Sequence, residues 1–396
     1  MKKLLVLAAG LLQMPVIKKA RELGYYVIAA DGDPHAVGLQ YADKPVIANI
    51  TSEEDMLAIA REEKIEGVIH PCSEVSMNVM GRINDELHLH GITRQTALRA
   101  TNKHFMRKAF EAYGAPSPLS FCTDNVEEGY KLFHSIGDKA ILKPSRNSGS
   151  RGIAEIEMGI SYEEFSTLFE RSKKESRDVS VMIEQFIEGP EFSVEIIVWN
   201  GIVHVLQVTD KKTTEAPYFV ELGHSQPSLY PQNVVNDVRS AAVLGVKALG
   251  LNDCAAHAEV KYRNGKAYLM EIGARLGGDF ISTQLTHLST GIDMVAAAID
   301  VAMGVEPNLK SVDVKHGVAI RYFTPSEGYL LRIDNLEILN DDRVYDYEIY
   351  KKVGDSVPEV KSSLDRSGHV IVIDKTVTEA IAFAEKIINE VILETK

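Results

Sequence analysis

At 396 residues the chain is longer than one hydrophobic core usually supports, so roughly two to four subdomains are expected. Apolar residues make up 45% and charged residues 25%, the balance of a globular protein and not of a disordered one. The formal net charge of −13 argues against nonspecific nucleic-acid binding and against an anionic membrane surface, so any polyanion site must be built locally from a few Lys and Arg.

The apolar run Lys3–Ala9 reads as a first strand and not as a signal peptide, because it is short and leads into Gln13 and the charged helical segment Val16–Leu23. Gly10 reads as a tight turn, since the G-x-G-x-x-G of a dinucleotide site is missing. Tyr26–Ala30 is a second strand ending in Asp31-Gly32-Asp33-Pro34. Val46–Ala48 is short and extended, Ser52–Glu63 is a helix with Ser52 as its cap, and Gly67–His70 is a strand stopped by Pro71. Continuous apolar strands separated by helices predict a parallel, doubly wound sheet. Gln95–Tyr113 reads as one helical stretch, followed by a linker with Pro116 and Pro118.

Antiparallel signals then take over. Ala140–Lys143 and Ile153–Glu157 flank a Gly/Ser loop, Asn147–Gly152, and a helix follows at Tyr162–Ser172. Val181–Glu184, Phe192–Val198 and Val203–Thr209 are strands, with Asn200-Gly201 as a hairpin turn. Helix Val234–Leu249 precedes strands Ala255–Tyr262 and Lys266–Ile272. From about Val312 onward a smaller α+β unit runs to a closing helix, Val377–Ile392. Cys72, Cys122 and Cys254 match no metal or redox spacing and read as thiols of a reducing cytosol, so a cytoplasmic location is expected. No apolar run approaches transmembrane length.

The sequence has no P-loop, no H-E-x-x-H, no G-x-S-x-G and no zinc signature. Phosphate handling, if present, falls to other devices. Lys143 on a strand followed by Asn147-Ser148-Gly149-Ser150-Arg151-Gly152 suits a triphosphate: small residues let backbone N–H groups approach the oxygens, and the lysine adds a point charge. A mobile surface hairpin is the plainer reading of the same residues. Glu259 and Glu271, on neighbouring strands, suit Mg²⁺, which needs few hard protein oxygens. Register decides whether they face each other. A three-residue loop at Arg263–Gly265, with Gly265 left-handed, keeps them on one face. A two-residue Asn-Gly turn separates them unless a bulge intervenes. The expectation is therefore the longer loop. Arg275, in Glu271-Ile272-Gly273-Ala274-Arg275-Leu276-Gly277-Gly278-Asp279, offers a fork for a phosphoryl group or carboxylate, or for a structural salt bridge. In Glu184-Gln185-Phe186-Ile187-Glu188-Gly189-Pro190-Glu191, backbone groups suit an adenine edge and Glu191 suits ribose hydroxyls.

The order of these four elements over roughly residues 100–305 resembles the ATP-grasp superfamily, and the preceding α/β unit resembles the domain in front of that module in its carboxylate–amine ligases. The resemblance implies an N-terminal doubly wound α/β domain (1–94), a helical linker (95–117), two α+β subdomains that clasp ATP (118–187 and 188–310) and a small C-terminal α+β unit (311–396). It implies Lys103 and Lys143 as nucleotide lysines and Ser148, Gly149, Ser150 and Gly152 over the phosphates. Glu184 and Phe186 meet adenine, Glu191 meets ribose, and Glu259 and Glu271 hold Mg²⁺, with Mn²⁺ as a substitute. Lys143 and Arg275 are the catalytic residues. Gly273 departs from the Asn that many members carry, so another oxygen must complete the metal shell. The implied chemistry is ATP-dependent formation of an acyl phosphate, then attack by an amine with release of ADP and phosphate.

The E-I-G-A-R-L-G-G-D and G-H-S-Q-P-S segments look most like L-amino-acid ligases, with small-molecule carboxylate and amine substrates. Gly277, Gly278, Arg275 and His224 are substrate-pocket candidates, although His224 reads equally as a structural histidine. Family resemblance favours a homodimer. A purine-type ligase activating bicarbonate or formate, an enzyme loading a carrier protein, and a nucleotide-binding regulator are the rival readings.

Overall fold

The computed structural model describes residues 1–146, 152–215, 218–311 and 316–396. Strands β1 (Lys3–Leu7), β2 (Tyr26–Asp31), β3 (Lys44–Ile47) and β4 (Gly67–Ile69) form a parallel sheet in the order β3-β2-β1-β4. Alternate residues of β1 enter different apolar cores. Leu5 and Leu7 pack with helices Glu53–Glu63 and Met77–Leu87 through Met56 and Met77, whereas Leu4 and Val6 pack with Val16 and Ile17 of helix Met14–Glu22. Burial on both faces is the reason these strands read as unbroken apolar runs. Ser52 caps its helix by accepting from the Asp55 N–H at 3.3 Å, and Gly10 accepts from the N–H of Gln13 and Met14 in a tight turn.

His70, just past β4, is fully buried between two backbone groups. Its Nδ1 lies 2.8 Å from the Leu7 carbonyl and its Nε2 accepts from the Ser76 N–H at 3.3 Å. A second proton would evict that N–H. Burial above all pushes the imidazole down from 6.5 to about 4. Between these values the unfolded chain binds a proton that the folded chain refuses. Stability is therefore complete above pH 6.5 and falls by about 3 kcal/mol as pH drops to 4. Urea midpoints across this range should be flatter for His70→Gln, and an unchanged slope would clear His70 of the effect.

The expected helical stretch Gln95–Tyr113 divides into two helices, Arg94–Thr101 and Lys103–Tyr113. Asn102 is extended (φ −122°, ψ 114°), and its side chain accepts from the Phe105 N–H at 3.1 Å. An asparagine competing for the backbone ends one helix and caps the next. Lys103 thus stands at a helix start, where its N–H donates to Ser145 O at 3.0 Å.

Strands β5 (Ser120–Thr123), β6 (Ala140–Pro144), β7 (Ala154–Ile156) and β8 (Val181–Gln185) form an antiparallel sheet in the order β5-β8-β6-β7, packed on Phe133, Phe165 and Phe169. The largest sheet is built from β9 (Glu191–Trp199), β10 (Ile202–Thr213), β11 (Glu221–Gln226), β12 (Cys254–Arg263), β13 (Lys266–Gly273) and β14 (Gly317–Phe323). Strands β15 (Gly328–Asp334), β16 (Val344–Ile349), β17 (Ser356–Val357), β18 (Gly368–Asp374) and β19 (Ile392–Thr395) follow. Of these, β18 and β16 extend the large sheet through β14, in the order β13-β12-β9-β10-β11-β14-β18-β16. The strands after residue 316 therefore continue the preceding sheet as well as forming the small β17-β15-β19 sheet. Helix Val377–Glu390 covers β14 and β18 through Phe383, Ala384 and Ile387. Among the described residues no helix is long and apolar enough to cross a membrane.

Candidate active site

The turn between β12 and β13 is the shorter one, not the expected three-residue loop. Arg263 pairs with Lys266 across Asn264 (φ 51°) and Gly265 (φ 76°). Two left-handed residues match the twist of a two-residue hairpin, and glycine adopts the second without strain. Continued regularly, this register would put Glu259 opposite Met270. It shifts instead between Glu259 and Val260: Val260 pairs with Leu269, Glu259 pairs with Glu271, and Met270 is the extra residue. A bulge thus performs what the longer loop was expected to do, and the two carboxylates stand directly opposite on one face. The Met270 carbonyl accepts from Arg107 Nη2 at 2.7 Å.

These carboxylates open on a cavity of about 750 Å³, bounded by the small antiparallel sheet, the large sheet, the loop after β4 and residues 361–364. Lys103, Lys143, Phe186, Glu191, Glu259, Glu271 and Arg275 all line it. Among the described residues the lining carries six Lys or Arg and five Glu, a local balance unlike the −13 of the whole chain.

Each charge is answered at short range. Lys103 Nζ is 2.9 Å from Glu271. Lys211 Nζ lies 2.5 Å from Glu191, 3.3 Å from Glu259 and 3.8 Å from Glu221. Burial would lower the Lys211 ammonium, but Glu191, Glu259 and Glu221 outweigh it and hold it well above its usual value. Lys211 in turn is the main reason that Glu259, despite burial, falls to about 2. Lys143 Nζ is 2.5 Å from Glu184, which also meets Arg107 Nε at 2.9 Å. Burial of Glu184 would raise it, yet Arg107 and Lys143 bring it to about 2. Burial chiefly holds Lys143 below its ordinary value against the pull of Glu184, with Arg107 and Lys103 adding to the effect. Arg275 Nη2 is 3.1 Å from Glu74 of the loop after β4.

Other expected residues stand elsewhere. Glu184 is fully buried behind Lys143 and does not line the cavity. Phe186 does, with Lys139 Nζ 4.5 Å and Lys261 Nζ 5.4 Å from its ring centre. His224 is buried beside the cavity wall, its Nε2 3.2 Å from Asp279 Oδ2. Gly277 and Gly278 are outside the lining, and a Cβ on Gly277 would stand 2.6 Å from His257 Nδ1. Gly152 is left-handed at φ 74°, beside Pro144, whereas Ser148, Gly149 and Ser150 lie outside the described residues.

Lys211, Glu221, His257 and Arg107 escaped the sequence reading. Nothing local separates Lys211 from Lys212. Strand alternation does so once β10 is placed, because Lys212 points away to Glu385 at 2.7 Å.

Glu259 and Glu271 present hard oxygens on one face beside phosphate-suited lysines, which fits Mg²⁺. Residues 136–284 match the family model described as the ATP-grasp domain, and residues 321–396 match the L-amino acid ligase C-terminal domain 2. The chain is an ATP-grasp carboxylate–amine ligase. The ligase is 27% identical over 329 residues to alanine–anticapsin ligase of Bacillus amyloliquefaciens, a match covering 76% of this chain and 67% of that protein. Its fold resembles the L-amino acid ligase from Bacillus licheniformis, with TM-score 0.82, 20% identity and coverage of 100% of this chain and 99% of that one. It also resembles phosphoribosylglycinamide synthetase from Anaerococcus prevotii, with TM-score 0.81, 23% identity and full coverage of both chains. At these identities the structural likeness establishes the ligase's fold.

Proposed function

We propose that the ligase joins the carboxylate of one amino acid to the amine of another, through an acyl phosphate formed from ATP. The cross-strand Glu259–Glu271 pair, set among Lys103, Lys211 and Arg275, supports this reading. The C-terminal match to L-amino acid ligases supports the choice of substrate class. In this reading Phe186 packs against the adenine and Glu191 accepts from the ribose. Lys103, Lys143 and Lys211 balance the phosphates. Glu184 acts through Lys143 and not on the base, because its carboxylate is sealed off.

Glu259 and Glu271 would hold Mg²⁺, for which Mn²⁺ would substitute. When bound, the metal neutralises phosphate charge. Arg275 orients the acceptor carboxylate toward the γ-phosphoryl group and then faces the acyl phosphate. The work is positioning and charge balance, and no side chain acts as a covalent nucleophile. Walls contributed by four parts of the chain limit water around the acyl phosphate.

The test is phosphate release with Mg²⁺-ATP across single and paired amino acids, with bicarbonate and formate as controls. Release that needs an amino-acid pair, with a new amide seen by mass spectrometry, is the expected result. Release driven by bicarbonate or formate alone would overturn it. Lys143→Ala should weaken ATP binding about 10- to 100-fold, the scale of one charge-assisted contact. Calorimetric titration with a nonhydrolysable ATP analogue checks this, and unchanged affinity would place Lys143 away from the nucleotide.

A further inference from the structure

The segment beyond Arg275 bends through two consecutive left-handed residues that are not glycine, Asp279 (φ 51°) and Phe280 (φ 61°). Such conformations are strained and persist where neighbouring groups over-determine them. One side of the bend is held within the large sheet: the Gly277 N–H donates to Ser282 Oγ at 2.7 Å, and Ser282 donates to the buried Glu195 at 2.5 Å. The other side is held from 87 positions down the chain. Arg366 Nη1 and Nη2 donate to the two oxygens of Asp279 at 2.8 and 2.7 Å, a bidentate fork. The guanidinium lies 3.6 Å over the Tyr322 ring, whose hydroxyl donates to the Asp279 carbonyl at 3.4 Å. Arg366 Nε donates to Ser363 O at 2.8 Å, and Ser363 Oγ donates to Glu221 at 2.8 Å, so the same side chain fixes the cavity wall at residues 361–364. Burial would raise the Asp279 carboxyl. The hydrogen bonds from Arg366 and His224 outweigh it and hold the group far below the usual range.

We propose that Arg366 is a positioning residue: through Asp279 it holds the 277–280 bend that keeps Arg275 facing the cavity, and so ties the C-terminal segment to the acyl-transfer steps and not to nucleotide binding. The inference rests on the ligase reading of that cavity. Phe186, Glu191 and Lys143, the nucleotide-side residues, make none of the clamp's contacts.

The experiment compares Arg366→Ala, Arg366→Lys and Asp279→Asn with the unaltered chain by three measurements: amide hydrogen exchange, affinity for a nonhydrolysable ATP analogue, and kcat and KM for the amino-acid substrates. Arg366→Ala should exchange faster across residues 274–285 and keep nucleotide affinity within about threefold. Its kcat should fall about 100-fold, the scale of misplacing a reacting group by an ångström. Added guanidinium, seated between Tyr322 and Asp279, should restore part of that rate. Arg366→Lys keeps the charge without the fork and should fall between. If Arg366→Ala does not fold, Arg366→Lys and Asp279→Asn carry the same comparison. Unchanged exchange at 274–285, a wild-type kcat, or loss of nucleotide affinity in step with kcat would overturn the clamp. A wild-type chain that makes no amide would instead sink the ligase substrate reading, with the exchange result still deciding the clamp.

Discussion

Glu271→Gln is expected to lower amide formation by about 10³-fold, the scale of removing one preorganised charge from a reaction centre. The substitution is isosteric and the site is partly open, with the side chain 25% exposed, so the melting temperature should barely move. It removes a hard anionic oxygen from the proposed metal pair and leaves Lys103 facing a neutral amide 2.9 Å away. Two effects separate. Affinity for the metal should drop, readable with Mn²⁺ by electron paramagnetic resonance, whereas an ATP analogue without metal should bind no worse. Glu259→Gln should act in the same direction. A wild-type rate in Glu271→Gln would remove the residue from the metal site.

Glu184→Ala is expected to destabilise the fold by about 3–5 kcal/mol, because it strands Lys143 and Arg107 as buried cations. The sign of the pH dependence follows from the depressed carboxyl. The unfolded chain titrates near 4.5 and the folded one near 2, so the stabilisation is complete above the ordinary range and lost as pH falls through 2. Urea unfolding at neutral pH checks the magnitude. Glu184→Leu combined with Lys143→Met should recover part of the loss, since an apolar pair leaves only Arg107 to satisfy. Stability equal to wild type in Glu184→Ala would mean that water reaches both cations.

Features carried by local pattern were legible in the sequence. The apolar runs of β1, β2 and β4 announced a sheet covered on both faces, and Ser52 and Asn200-Gly201 announced a cap and a turn. Asn102 also carried a legible capping signal, which divides the helical stretch Gln95–Tyr113 in two. The bulge at Met270 left no such trace. Asn264-Gly265 set the turn correctly, and only the demand for paired carboxylates hinted at a compensating extra residue. The contacts between Arg107 and Glu184, 77 positions apart, and between Asp279 and Arg366 depend on how sheets meet, which periodicity does not encode. For the same reason Lys211 was indistinguishable from Lys212 until β10 was paired.

Among the described residues, six cations face five carboxylates around the cavity, so the lining balances its own charge. Lys211 and Lys103 already neutralise the oxygens that a divalent ion would seek, and Glu184 already neutralises Lys143. Loading the site is therefore a partner exchange. A metal arriving alone must evict ammonium groups that have nowhere better to go. A nucleotide arriving alone must pull lysines from carboxylates left bare. In the proposed reading the two together complete both halves of the swap, and metal and nucleotide are expected to enter as a matched pair.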